Sequence, residues 1–499
     1  MENHAVSRTR KVPFTHILGY SLGDCASSLT MNGISAYAML YYTQALGLSF
    51  ARAGLAFAIA SVWDALVDPL IGHISDNTRS RYGRRHPYIL VGGLMMAICF
   101  YLLWVMPTIV GRGEMLFWSA LIINILIRTA FAVFSVSHIA LGFEICTDYH
   151  QRSHLQSSRW ALNMTANLLG PALGWSLFFP DNAAGKSEAT SKVTNYLHMG
   201  TAFTIATIVF VLIVVWATRR YIVDTRGLAV RTGNSINAFY SDAWEVIADR
   251  YFRFVIVFFC VGQIGAIFVA TIQMYLYVYF AHLTALEKTI VHGGGMVFCG
   301  TGAVVGSLLA RRFDKKLAVC MGAAIATCAD LTAAVVFLTG ILKPLQIWIV
   351  GGSAISIGKI VFGACDMINW FGVGIFAALS GSMTADVAEI DELKSGVRKD
   401  GGYAAIFAFV TKLVSSVAIY VASACMAWVG FKEGSDVQTP EAIWWLVLLT
   451  FGLGAAFIVL VIPIVWRYPI TQAFMDDVKA ALARKKELAA ASEAELNRP

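Results

Sequence analysis

Apolar runs of about twenty residues, each closed by a short polar or glycine-rich break, recur along this chain from Ile17 to Trp466. Each is near the ~20 residues that a helix needs to cross a bilayer. Lipid offers no partner to a free backbone amide, so such runs must be helical. The breaks place the spans at 17–46, 53–74, 88–106, 115–142, 160–179, 196–218, 254–282, 289–310, 317–341, 360–386, 402–430 and 442–466. The pattern predicts an all-α membrane protein with twelve transmembrane helices.

The longest hydrophilic connection runs from Arg219 to Arg253 and divides the chain. Residues 1–218 form a first six-helix half, 219–253 a cytoplasmic middle loop, 254–470 a second six-helix half and 471–499 a cytoplasmic tail. Each half carries a basic loop after its second span, Arg79 to Arg85 in one and Arg311 to Lys316 in the other. Weak symmetry between six-helix halves fits a transporter with its site near the midplane, and any cytoplasmic loop is also expected to be basic. Residues 343–359 are too apolar for a water-exposed loop and read as an interfacial or re-entrant segment. Residues 471–496, rich in Ala, Lys and Glu, favour a helix outside the membrane.

Composition sharpens this picture. The chain is 58% hydrophobic and 14% charged, where a soluble domain carries roughly 25% charged residues. Most of the 38 Lys and Arg fall in the tails and in the loops on their side, which places both termini in the cytoplasm. The net charge of +7 is this topology signal, so no nucleic-acid partner is expected. The first apolar span is too long for a secretory signal, and no cleaved leader is expected. The nine cysteines form no CxxC pair and no His cluster accompanies them, so neither a disulfide framework nor a metal site is expected. No glycine-rich phosphate loop is present, and no cofactor is implied.

Charged groups inside spans are costly and usually face the bundle interior. The strongest cluster is Trp63-Asp64-Ala65-Leu66-Val67-Asp68-Pro69. Asp64 and Asp68 are four residues apart and share a helical face, and two carboxylates out of bulk water resist ionising together. A proton, a metal cation or a basic side chain must compensate them, unless the pair simply fastens helices. Lys412, flanked by Thr411, Ser415 and Ser416, is a candidate counter-charge, or a lysine snorkelling to the cytoplasmic end.

Two polar stripes run at helical spacing: Asp24, Ser28, Asn32 and Ser35 in the first span, and Arg159, Asn163 and Asn167 in the fifth. Such stripes line a hydrophilic cavity or mediate close helix packing. Arg128 in the fourth span, with Ser135 two turns on, could hold an anionic group bidentately or pair with an interior aspartate such as Asp24. Asp330, Asp366 and Lys359 have no assigned role.

The stretch from Trp63 to Gly72, continued by Ser75-Asp76-Asn77-Thr78-Arg79-Ser80-Arg81-Tyr82-Gly83-Arg84, resembles a signature of the glycoside–pentoside–hexuronide cation symporters. Gly19-Tyr20-Ser21-Leu22-Gly23-Asp24, Glu144 to Tyr149 and Ala385 to Leu393 support the resemblance. It implies the major facilitator fold, cation-site carboxylates at Asp64 and Asp68, and the family's eleventh-helix lysine at Lys412. Where melibiose-carrying members have two sugar-holding aspartates, this chain has Ser28 and Ser135. Where they have neutral oxygen ligands for sodium, it has Val67 and Ala132.

The expected function is therefore a cation-coupled symporter in a bacterial-type inner membrane, moving a small polar solute by alternating access. The solute is a sugar, glycoside or uronide, and Asp24, Ser28, Arg128, Ser135, Arg159 and Asn163 are its candidate contacts. A proton is favoured over sodium because it needs no coordination shell. A lysolipid carrier of the same fold and a non-transporting membrane sensor are the rival readings. No nucleophile–base pair or metal-ligand helix motif points to an enzyme.

Overall fold

The computed structural model describes residues 12–111, 113–145, 149–179, 188–222, 246–350, 353–396, 400–435 and 437–496. The first six long helices are α1 (Phe14–Gly33), α2 (Phe50–Asn77), α3 (His86–Val110), α4 (Glu114–Ile145), α5 (Tyr149–Phe178) and α6 (Val193–Thr218). Six more follow: α7 (Arg250–Tyr275), α8 (Ala285–Phe313), α9 (Lys315–Leu338), α10 (Ile357–Ser395), α11 (Asp400–Trp428) and α12 (Pro440–Val447). π-helical turns extend α1 through Ile34–Ala38 and Tyr41–Ala45, and α12 runs through one into Gly454–Trp466. All twelve expected spans thus carry a helix.

Ten of the helices among the described residues are long and apolar enough to cross a membrane. The other two are α1 and α5. They are the helices with the polar stripes.

Local chemistry sets several helix ends. Thr284 and Glu287 form a capping box at the start of α8, with Thr284 N donating to Glu287 Oε2 (2.7 Å) and Glu287 N donating to Thr284 Oγ1 (3.2 Å), which satisfies two otherwise orphaned amides. Asp249 accepts from the amides of Tyr251 and Phe252 at 2.8 Å each, opening α7. Gly396 closes α10 at φ 75°, in the left-handed region that glycine enters without strain.

Within residues 343–359, expected as an interfacial or re-entrant segment, Trp348–Val350 pairs antiparallel with Ser353–Ile355 as a β-hairpin, and α10 begins at Ile357. Ile347 and Ile349 are exposed, so the segment's apolar character lies on the outside of the protein. The tail expectation holds as secondary structure, with α13 running over Gln472–Leu496.

By contact the chain divides into two compact units. The first comprises Met1–Gly233, Met274–Gly293 and Ile419–Ile443; the second comprises Asn234–Gln273, Gly294–Ala418 and Trp444–Pro499. Within the first unit, α2 presents Leu55, Ile59, Val62, Leu66, Leu70 and Ile74 as one exposed apolar face. That face suits lipid and leaves Asp64 on the buried side. Residues 274–293 and 419–443 are tied into this unit by Thr43–Tyr275 (2.8 Å), Tyr279 Oη to Gln44 Oε1 (2.6 Å) and Phe50 N to Glu433 Oε1 (3.1 Å). The second unit has a large apolar core that includes Phe258, Phe376, Met383 and Ile458, and it takes in Met475, Val478 and Leu482 of α13. The tail helix is thus packed by its apolar stripe, not merely appended.

Candidate functional site

The two polar stripes meet. Arg159 clasps Asp24 with both ends of its guanidinium, Nε to Oδ2 at 2.7 Å and Nη2 to Oδ1 at 2.9 Å. One turn on, Asn163 Nδ2 donates to Ser28 Oγ at 2.7 Å. A further turn on, Asn32 donates to the Asn167 side-chain oxygen. Each pair has the same sequence separation of 135 residues. A constant offset over two turns requires α1 and α5 to run parallel and in register, since both advance 1.5 Å per residue. Asn167 Nδ2 also donates to Asn163 Oδ1 (3.2 Å), which links successive rungs.

A pocket of about 250 Å³ opens beside the first rung, lined by Asp24, Gln156, Arg159 and Asn163. Gln156 accepts from Arg159 Nη1 at 3.2 Å. Its place one turn before Arg159 on the same face is the sequence signal that could have found it. The bidentate pair is nearly buried, at 12% and 13% side-chain exposure. Charge-assisted forks of this kind are the stronger class of hydrogen bond.

Behind this wall α1 meets α4 closely. Tyr20 and His138 stack with centroids 4.2 Å apart, and Tyr20 Oη donates to the His138 carbonyl at 2.6 Å. A Cβ on Gly23 would stand 2.5 Å from His138 Nε2. The glycine before Asp24 is therefore what lets the two helices approach.

The acidic pair lies on α2 against α4. Asp64 is 4% exposed, and Arg128 Nη1 donates to its Oδ2 at 3.3 Å. Beside it Trp63 Nε1 donates to Thr129 Oγ1 at 2.8 Å, so consecutive residues of α2 grip consecutive residues of α4. Asp68 follows one turn on, half-buried. Arg128 therefore meets Asp64 and not Asp24, whose place is taken by Arg159. Ser135 is half-buried two turns along α4 from Arg128. Lys412 belongs to α11 in the second unit, and the counter-charge seen at Asp64 within the first unit is Arg128.

Val67 and Ala132, at 4% and 0% exposure, pack with Ile71 in a small apolar cluster backed by Val133 and Val136. Among the described residues no group of three or more His, Cys, Asp or Glu could hold a metal ion.

The expected basic loops are fastened in the same way in both units. Arg84 and Arg85 each place Nε on Glu144 Oε1 at the end of α4, at 2.8 and 3.1 Å. Lys315 places Nζ on the Asp386 carboxylate of α10, at 2.5 and 2.7 Å. In each case the loop after a second helix is tied to an acid on a fourth.

A polytopic helical bundle with guanidinium-held carboxylates buried inside its spans defines a membrane transporter, since such groups mark solute and ion paths. The chain belongs to the MFS/sugar transport protein family, whose model matches residues 19–472. This bears out the resemblance to the glycoside–pentoside–hexuronide symporters of the major facilitator superfamily and sets the enzyme reading aside.

Among its relatives is the isoprimeverose transporter of Lactiplantibacillus pentosus, 23% identical over 90% of this chain and 89% of the relative. Another is the sodium-dependent lysophosphatidylcholine symporter 1-A of Danio rerio, 22% identical over 91% of this chain and 85% of the relative. The fold is that of the inward-open xylose transporter XylE from E. coli, with a TM-score of 0.59 at 14% identity, covering 94% of this chain and 99% of that one.

Proposed function

We propose that this chain is a proton-coupled symporter of a sugar, glycoside or uronide. It would sit in a bacterial-type inner membrane with both termini cytoplasmic, its two six-helix halves giving alternating access. Asp64 and Asp68 serve the proton, with Arg128 as the resident counter-charge of Asp64. The wall formed by Asp24, Ser28, Arg159 and Asn163 serves the solute, and its pocket suits a hydroxyl-rich molecule because donors and acceptors alternate along it. Ser135 stands on the same α4 as Arg128, and Lys412 of the second unit is a further cation of the coupling machinery.

The observation that carries the proton is the cluster of Val67, Ala132 and Ile71 beside the carboxylates. A sodium ion must recover its hydration from several oxygens, as hard cations do, and these side chains offer none. A proton needs one carboxylate oxygen. Protonating Asp64 also releases Arg128, which gives the site two states of different charge pairing. A carboxylate that neutralises in this way removes the like-charge repulsion within the pair.

The test is accumulation of methyl β-D-xyloside and methyl β-D-glucuronide in proteoliposomes under clamped membrane potential. Uptake is expected with an inward proton gradient and no sodium. It is expected to fall at least about tenfold in Asp64→Asn and Asp68→Asn, with exchange retained in at least one. Uptake driven by sodium alone would overturn the proton. Uptake of lysophosphatidylcholine with neither sugar would overturn the solute class and favour the lipid reading that the zebrafish relative represents.

A further inference from the structure

We propose that Asp330, in the second unit, is a proton-binding site: it stands as a neutral carboxylic acid beside Asn369 and Asp366. This does not rest on the coupling role of Asp64 and Asp68, which belong to the other unit.

Asp330 lies in the middle of α9 and is 0% exposed, while Asp366 and Asn369 of α10 are each 2% exposed. Asn369 Nδ2 donates to Asp330 Oδ1 at 2.8 Å. Asp366 precedes Asn369 by one turn on the same face of α10, so the contact of Asn369 with Asp330 brings the two carboxylates to within about a helical turn of each other. Gln273 of α7 donates to both oxygens of Asp366, at 2.7 and 2.9 Å.

The two carboxylates are thus unequal. Asp366 accepts two amide hydrogen bonds, which favour its ionised form. Asp330 Oδ2 has no hydrogen-bond partner, and neither has the acceptor Asn369 Oδ1 nor the Thr327 hydroxyl one turn earlier on α9. A buried polar atom left in this way costs about 1–3 kcal/mol, and an ionised one costs more. A proton on Asp330 answers the first two of these. It removes the second negative charge, and it supplies the donor that Asp330 Oδ2 and the Asn369 carbonyl lack.

The elements packed around the site bring little that competes. Residues 444–466 of α12 hold no titratable side chain; the titratable residue of α7 nearest Gln273 is Tyr275, with Cys260 further along the helix, and the titratable residue of α9 nearest Asp330 is Cys328. On α10 stand the Cys365 thiol beside Asp366, and Lys359 at the first turn. Phe362 meets Phe337 at a tilt and Phe451 edge-to-face, with centroids 6.2 and 5.9 Å apart.

Infrared spectroscopy of the purified full-length protein in liposomes tests this, because a protonated carboxyl has a carbonyl stretch that a carboxylate lacks. At neutral pH the difference between wild type and Asp330→Asn is expected to show the loss of one carboxylic-acid band with the carboxylate bands unchanged. Loss of carboxylate absorption in its place would overturn the proposal.

Should Asp330→Asn fail to fold, wild type and Asp366→Asn are titrated with base. Removing the neighbouring charge is expected to move the pH at which the acid band disappears by at least about one unit downward, a tenfold change in proton affinity. An acid band that is absent from wild type below neutral pH, or does not move in Asp366→Asn, overturns it. So does a band that saturating sodium chloride abolishes, which would assign the site to a metal cation.

Discussion

The two units hold their membrane-buried carboxylates by different chemistry. In the first, guanidinium groups do it: Arg159 forks onto Asp24 and Arg128 reaches Asp64. In the second, amides do it at the deeply buried acids, Asn369 donating to Asp330 and Gln273 to Asp366, while Asp386 toward the end of its span is paired with Lys315. A guanidinium balances the charge of its carboxylate and can be displaced by another cation. An amide satisfies an oxygen but leaves the charge where it was. The first arrangement suits an ion or solute that comes and goes, and the second suits a standing proton. The contrast also divides the cost, since a charged pair in a dry site is stable only while both partners are present.

That reasoning is broken most directly at Arg159. Its replacement by Ala strands the Asp24 carboxylate, and destabilisation of about 3–5 kcal/mol is expected, as for other buried pairs opened from one side. Adding Asp24→Ala should restore more than half of the loss, read by thermal unfolding in detergent. A double variant no more stable than Arg159→Ala would mean that the arginine acts through packing and not through charge.

Neutralising one acid in each unit sharpens the comparison further. Asp24→Asn should cost about 2–3 kcal/mol, because it leaves the guanidinium half-bonded. Asp330→Asn should stay within about 1 kcal/mol of wild type, because an amide is close to the shape and hydrogen bonding of a protonated acid. Chemical unfolding of the two variants side by side checks this, and equal losses would erase the distinction between the units.

A smaller effect is expected one rung along. Asn163→Ala removes the donor to Ser28 and the acceptor of Asn167, worth about 1 kcal/mol of stability. If this rung also holds solute, KM for methyl β-D-xyloside uptake should rise several-fold while the maximal rate changes little. An unchanged KM would confine the rung to helix packing.

The smallest effects are expected where the units agree. Lys315→Ala and Arg84→Ala each open a pair that is partly solvated, at 31% and 36% exposure of the basic side chain. Such pairs are worth less than about 1 kcal/mol. Either variant losing more than that in a melting experiment would show the loop fastening to be part of a larger network.

Much of this was legible in the chain. The spacing of apolar runs located the helices, although α5 begins at Tyr149, well before the expected start at 160, and α10 continues past 386 to Ser395. Both extensions are polar segments at helix ends, where hydrophobicity stops reporting but the helix need not stop. The stripes of Asp24, Ser28 and Asn32 and of Arg159, Asn163 and Asn167 were visible as period-four polar residues. The acidic pair at Asp64 and Asp68 was visible as two charges in an apolar run. The hairpin at Trp348–Ile355 was missed because an apolar stretch with glycines fits a short strand pair as well as a re-entrant segment.

By itself, then, the sequence determined the number of helices, their rough limits and which face of each is polar. These follow from backbone hydrogen bonding in lipid and from the 3.6-residue turn, both local properties. Only the tertiary structure decided that α1 and α5 lie parallel with a constant offset of 135 residues, so that Asp24 finds Arg159 and Arg128 is left for Asp64. It also decided that Asn369 of α10 meets Asp330 of α9, and that Gln273 of α7 meets Asp366 of α10. The physical reason is the same in each case. Which polar face meets which depends on the axial register and rotation of helices separated by many residues, and those are set by the packing of glycines, aromatics and aliphatic side chains over the whole interface rather than by the charged residues themselves.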